Sequence, residues 1–321
     1  MNHETVRSAA SSSSILVVDD ENHIRELMAR WLSASGYTVH TAGSADEALH
    51  RVRSDAPETA VIMASGVQEV DSAASGLRQG IVDYLTKPFA LERLRESVSR
   101  GVEWHKAARD TRLWRETLEG EVAARRQVLS DAVDSLIIDN DADLDVLLCV
   151  LTNADREAYA HAYRVAGLAA TVGRAMDVDA EELRRLERAA LVHDVGKFAM
   201  PDAVLRKPAP LTVEEQNLIR QHPRIGSELF VSVPYLSAAA ELVRDACERV
   251  DGRGYPNGTP AADVALGARI IAVADAFDAM TRSRVFRTAV PPAEALAELE
   301  RCAGTQFDPA VVAAFKQIVQ R

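Results

Sequence analysis

A change of hydrophobic period near residue 90 constrains this chain more than any other feature. Before that point four short apolar runs, Ile15–Val18, Tyr37–Thr41, Ala60–Ala64 and Val82–Leu85, alternate with stretches of helical spacing. Beyond it apolar residues recur at intervals of three and four, and from Leu144 onward no run reads as a strand. Short apolar runs with polar stops make buried strands, whereas a period near 3.6 makes helices. Strands alternating with helices predict a doubly wound parallel α/β sheet, and helices alone predict a bundle. A length of 321 residues suits two such domains.

The expected organisation follows. Residues 1–14, rich in Ser and Ala, read as a disordered tail, and 15–90 hold the α/β unit. Helices are expected over 22–34, with Gly36 as the C-terminal stop, over Ala45–Val52 and around 68–79. Residues 91–139 are charge-rich with Leu91, Leu94, Val98 and Val102 at helical spacing, and read as a helical linker. Its heptads are too broken for a coiled coil, which leaves two readings open: a homodimer through this helix, or a solvated connector. Residues 140–321 make the all-α bundle, with helices expected over Asp179–Leu191, Val213–Arg220, Ala238–Val250, Ala268–Thr281 and Ala293–Cys302.

Charge and composition narrow the partners. Lys plus Arg is 37 and Asp plus Glu is 48, so the formal net charge is 37 − 48 = −11. That disfavours non-specific binding to nucleic acid or to an anionic membrane, and any phosphate ligand needs a local cationic pocket. No stretch approaches the roughly 20 apolar residues of a membrane span. The first residues lack the apolar core of a signal peptide. Cys149, Cys247 and Cys302 are odd in number and far apart, so no disulfide framework is expected. These features predict a cytoplasmic protein.

Two groups of residues carry chemistry. In the first domain Asp19 and Asp20 follow one strand, Ser65 ends another, and Lys87-Pro88 follows the last. Strand ends are where open α/β sheets bind ligands, and paired acids there suit a hard cation such as Mg²⁺. With VVDD (17–20), IMAS (62–65) and DYLTKPF (83–89) in order, this segment resembles a response-regulator receiver domain of two-component signalling. The resemblance implies that the acids bind Mg²⁺ and that Ser65 and Lys87 sense a phosphoryl group on a third Asp. That Asp is missing. Only residues 54–59 separate the helix ending near Arg53 from the strand near Ala60, and a βα unit of its own needs roughly 30 residues. Asp55 lies at no strand end, so no phosphoacceptor is expected and the receiver is truncated by one βα unit.

In the helical half, Glu157 and His161 stand one turn apart, His193-Asp194 follows an amphipathic helix, and His222 and Asp275 lie further on. His nitrogens and carboxylates drawn from separate helices are what a transition-metal site in a bundle requires. These residues resemble the HD superfamily of phosphohydrolases, and Asp251-Gly252-Arg253-Gly254-Tyr255-Pro256 marks its HD-GYP branch. HDVGKFAMPD (193–202), LRKPAPLT (205–212) and ARIIAVADAFDAMT (268–281) also match, followed by Arg284 and Arg287.

The resemblance implies a metal-dependent phosphodiesterase for cyclic di-GMP, opened to linear pGpG and in some members to GMP. It implies that His161, His193, Asp194 and Asp275 hold a first metal, with Asp194 bridging to a second that His222 also ligates. Glu157 matches an additional-metal carboxylate of some members. Lys197 is implied near the scissile phosphate, Arg284 and Arg287 as a phosphate clamp, and Gly254, Tyr255 and Pro256 as the pocket wall. The expected ion is a divalent transition metal, Fe or Mn, in one or two copies.

One departure stands out. The branch carries two adjacent His residues just before this loop, and here those positions are Ala246 and Cys247. The second metal position is weakened or lost, which leaves three readings. The chain is a slow phosphodiesterase, a catalytically inactive nucleotide-binding or partner-docking module, or a mononuclear HD phosphohydrolase on another nucleotide. A signalling protein is the partner expected for the second.

Overall fold

The computed structural model describes residues 14–19, 21–44, 60–65, 81–152, 155–282 and 288–320. They fall into two units, Met1–Trp114 and Arg115–Arg321, taken in turn.

In the first unit, strand β1 (Ser14–Val18) leads into helix α1 (Asn22–Ala34) and strand β2 (Thr38–Ala42). Helix α1 closes as its sequence predicts, with Gly36 at φ +94° and the Tyr37 amide donating to Leu32 O. Strands β3 (Val61–Ser65) and β4 (Ile81–Thr86) follow. All four lie within a residue or so of where the apolar runs put them. The helices expected over Ala45–Val52 and around 68–79, and the tail before Ser14, lie outside the described residues.

The expected single sheet needs correction. Among the described residues β1 pairs in parallel with β2 and β3 in parallel with β4, as two separate pairs. Val17, Leu32, Leu85, Leu94 and Val98 form a common buried core between them. The two pairs therefore share packing without sharing a hydrogen-bonded ladder.

Helix α2 spans Leu91–Asp134 without a break, 44 residues, as the charge-rich linker predicts. Its portion in the second unit buries Leu118, Val122, Leu129 and Val133 against the helical core. Helices α3 (Asp141–Thr152), α4 (Arg156–Ala175) and α5 (Ala180–Val192) follow, and α4 and α5 pack side by side. Asp155 and Asp179 cap α4 and α5 by accepting from first-turn amides. A 3₁₀ turn, Val195–Ala199, leads to the short α6 (Asp202–Leu205) and then α7 (Val213–Ile219), α8 (His222–Phe230), α9 (Pro234–Ser237) and α10 (Ala240–Asp245). Helix α11 (Leu266–Thr281) crosses α4, and α12 (Pro292–Arg301) and α13 (Pro309–Val319) close the bundle.

The continuous helix expected over Ala238–Val250 is corrected. Within that range the helix is only Ala240–Asp245, and beyond it the Glu248 side chain satisfies the amides of the loop at Asn257, Gly258 and Thr259. The 3₁₀ turn after Asp194 packs tightly on α8. A Cβ on Gly196 would stand 1.9 Å from His222 O, so only glycine lets the two segments carrying His193-Asp194 and His222 come together. Among the described residues no helix is long and apolar enough to cross a membrane.

Candidate metal centre

Helix α4 carries His161 to the centre of the bundle, α5 ends at His193, α7 leads into His222, and α11 carries Asp275. His161, His193 and His222 are all buried. Each offers its Nδ1 to an oxygen of the protein: His161 to Asp278 Oδ2 at 2.7 Å, His193 to Ala190 O at 2.8 Å and His222 to Ile219 O at 2.9 Å. A carbonyl or carboxylate oxygen only accepts, so Nδ1 carries a proton in each ring and Nε2 is the nitrogen left to take an ion or a second proton.

Those Nε2 atoms face carboxylates. His161 Nε2 is 3.3 Å from Asp275 Oδ1 and 3.7 Å from Asp194 Oδ2. His193 Nε2 is 3.4 Å from Asp194 Oδ1 and 3.9 Å from Asp275 Oδ1, and His222 Nε2 is 3.5 Å from Asp194 Oδ1. Buried lone pairs turned on carboxylates repel unless a cation lies between them. His161 Nε2 and His193 Nε2 are buried with no hydrogen-bond partner, which leaves them open to a metal ion or, at His161, to a second proton shared with Asp275. Donor atoms of His161, His193 and Asp194 all lie within 4.8 Å of one another. The residues fit a divalent ion.

The local field has the matching sign. Burial works against a charged His161, but Asp275 and Asp278 outweigh it and push its pKa up to about 9. Burial alone would raise Asp194; Lys197, His193 and His222 hold it well below the ordinary carboxylate value instead. Asp275 is likewise lowered, against burial, by the His161 hydrogen bond and the nearby His193. The Lys197 ammonium, 2.6 Å from Asp194 Oδ2, is raised by Asp194 and Asp275 against its burial. The pocket wants a cation, and a proton or a metal can supply it.

The sequence-predicted residues divide into three groups. His161, His193, Asp194, Asp275, His222 and Lys197 come together. Glu157 is drawn off: its side chain is 69% exposed and accepts from Arg164 at 2.6 Å, outside the His/Asp group. Arg284 and Arg287 lie outside the described residues. In the first unit Asp19 is buried and pairs with Lys87 at 2.7 Å, Ser65 closes β3, and Asp20 lies outside the described residues.

The loop over Gly252–Pro256 borders the centre. The Tyr255 ring stands edge-on to His222 with centroids 6.2 Å apart. Gly254 is forced, since a Cβ there would lie 2.5 Å from Glu248 Cα. Burial pushes the Cys247 thiol, 3.9 Å from His222 Nε2, up to about 12.

Sequence reasoning missed three supporting residues. Asp278 fixes the His161 tautomer, and Arg164 clamps Asp278 at 2.6 and 3.0 Å while bridging to Glu157. Glu248, 6% exposed, accepts from the amides of Asn257, Gly258 and Thr259 at 2.8–3.1 Å. The spacing of Asp278, three residues after Asp275 on one helix, was the available signal.

An all-helical domain closed around a His-Asp pair, with further His and Asp donors converging on it, is an arrangement that can hold a divalent ion. The comparisons agree: the family described as "HD domain" matches residues 145–311, and the chain belongs to that family. Among its relatives, a cyclic di-GMP phosphodiesterase of Thermotoga maritima is 26% identical, over 95% of this chain and 90% of that protein. The cyclic di-GMP phosphodiesterase response regulator RpfG of Xanthomonas campestris is 32% identical over 78% of this chain and 65% of its own length. The cyclic di-GMP phosphodiesterase PA4108 of Pseudomonas aeruginosa is 36% identical over 53% of this chain and 41% of its own. This chain thus spans less than two thirds of the latter two.

Proposed function

We propose that this chain is an HD-GYP-type phosphodiesterase that hydrolyses cyclic di-GMP with a divalent transition metal, Fe or Mn. The carrying observation is the set of buried imidazole lone pairs converging on Asp194 and Asp275, with the Lys197 ammonium alongside. The activity named for the three relatives gives the substrate. When bound, a divalent ion supplies the acidity of the attacking water and part of the charge stabilisation at phosphorus.

The rest falls to the protein. His161, His193, Asp194 and Asp275 hold the ion, and Asp278 and Arg164 hold His161 in the right tautomer. Lys197 places a positive charge where the phosphodiester gains negative charge in the transition state. Arg284 and Arg287 bind the phosphates, and Gly254, Tyr255 and Pro256 wall the nucleotide.

Asp194 and His222 alone leave the second metal position thin, since stable sites usually supply three or four protein ligands. Ala246 is buried in the apolar core and offers no donor. That observation favours a second reading, an inactive module that binds the nucleotide or docks a signalling partner.

The test uses the full chain purified without chelator. Expected are about one tightly held metal per chain and slow, metal-dependent conversion of cyclic di-GMP to pGpG, abolished in Asp194→Ala. Binding of cyclic di-GMP without turnover, with the metal in place, gives the second reading instead.

For the first unit we propose a receiver-like module that accepts no phosphate. The two-pair arrangement supports this. In a sheet of order 2-1-3-4-5, the third strand joins the first to the fourth, and its loss leaves two pairs.

A further inference from the structure

Ala246 and Cys247 are chain neighbours with opposite fates. Ala246 packs into the hydrophobic core, whereas Cys247 turns its Sγ toward the metal centre, 3.9 Å from His222 Nε2. The same His222 nitrogen lies 3.5 Å from Asp194 Oδ1. That carboxylate oxygen is also the target of His193 Nε2, an atom 3.4 Å away on a ring 2% exposed and with no hydrogen-bond partner. Around the buried His222 Nε2, then, stand a sulfur at 3.9 Å and a carboxylate oxygen at 3.5 Å.

The two distances from His222 Nε2 can be set against one coordination sphere. With metal–sulfur near 2.3 Å and metal–nitrogen and metal–oxygen near 2.0–2.2 Å, tetrahedral angles set neighbouring donors about 3.4–3.6 Å apart. The distances of 3.9 Å from Sγ and 3.5 Å from Oδ1 to Nε2 are close to these, before any ion draws the donors in.

We propose that Cys247 is a protein donor of a second cation position, with His222 and Asp194, and that this position takes a thiophilic divalent ion such as zinc. The inference rests on the metal-centre reading above and alters its second half. The first position keeps nitrogen and oxygen donors, while the second gains a thiolate and with it a preference for softer metals. As the sulfur–metal bond forms, the thiol proton leaves to solvent and no electron changes hands.

Cobalt(II) reads this directly, because a sulfur ligand gives it a charge-transfer band in the near ultraviolet that nitrogen and oxygen ligands do not. Metal-free full-length protein is titrated with cobalt. The first equivalent adds no such band and the second brings it in. Cys247→Ser removes the band and leaves the first equivalent bound. It also weakens the second zinc equivalent by at least the 10–100-fold typical of a lost outer-shell partner. Cys149→Ser and Cys302→Ser leave the band in place. The proposal is overturned if wild-type protein titrated with excess cobalt takes up no second equivalent beyond the tightly held first, if that second equivalent brings no sulfur band, or if the band survives in Cys247→Ser. Failure of the metal-centre reading gives a different result: no tightly held first equivalent, or one that Asp275→Ala does not weaken.

Discussion

Asp278 shows how much of the centre depends on a residue that touches no metal. Its carboxylate holds the His161 proton on Nδ1 and is itself held by Arg164. Removing its charge while keeping its shape should loosen the ion and spare the fold. Asp278→Asn is expected to cost roughly tenfold in affinity for the first metal, the low end for an outer-shell partner, with helical circular dichroism unchanged. A competition titration against a chromophoric chelator measures it, and unchanged affinity would remove Asp278 from the site. The His161 shift makes a second claim. With its pKa near 9, His161 is protonated at neutral pH in the metal-free chain, and metal uptake must displace that proton. Calorimetry at pH 7 in buffers of different ionisation enthalpy should show about one proton released from this ring per ion bound. The number should fall as pH rises through about 9, because the ring is then already neutral.

Among the elements, the loop over Gly252–Thr259 is the one whose shape depends on a single side chain. Glu248 takes three of its amides, and hydrogen bonds to a charged group are each worth about 1.5–3 kcal/mol net. Glu248→Ala should therefore loosen the Gly254-Tyr255-Pro256 wall, raising KM for cyclic di-GMP more than it lowers kcat. Metal content should stay constant, because Glu248 contributes nothing to the His/Asp group, and Glu248→Gln should recover part of the loss. A matching fall in metal content would make Glu248 a general stability residue instead. At this scale the sequence was legible wherever a signal is local. Period alone located β1–β4, α1, α5 and α11, and the resemblance of the motifs around them to the HD superfamily pointed to His161, His193, Asp194, His222 and Asp275. It failed where a partner lies far along the chain. Arg164 meets Asp278 across 114 residues, and nothing in either neighbourhood announces the other. It also failed at Ala238–Val250, where helical propensity lost to the tertiary demand of the loop beyond Asp245. The opposite directions of Ala246 and Cys247 follow from that same break.

For the molecule as a whole, the first unit, which we propose to be receiver-like, pairs Asp19 with Lys87. On that proposal, with no acceptor carboxylate, the full chain incubated with acetyl phosphate and Mg²⁺ should carry no acid-labile phosphoryl-Asp within residues 15–90. Mass spectrometry decides it, and a stoichiometric label there would mean that an acceptor exists. The helical unit keeps its ion-binding donors, and something beyond those donors draws a cation to them. His193 caps the C-terminal end of α5 and His222 hydrogen-bonds the last carbonyl of α7. Each helix ends in the equivalent of about half a negative charge from its aligned peptide dipoles. The end of α5 lies at the centre, whereas the end of α7 is offset there by the positive start of α8 at His222, so α5 adds an attraction for a cation beyond what a count of Asp and His would give. Fraying of α5 would withdraw a ligand and that share of the field together. Amide exchange at the last turn of α5 should therefore slow when the ion binds.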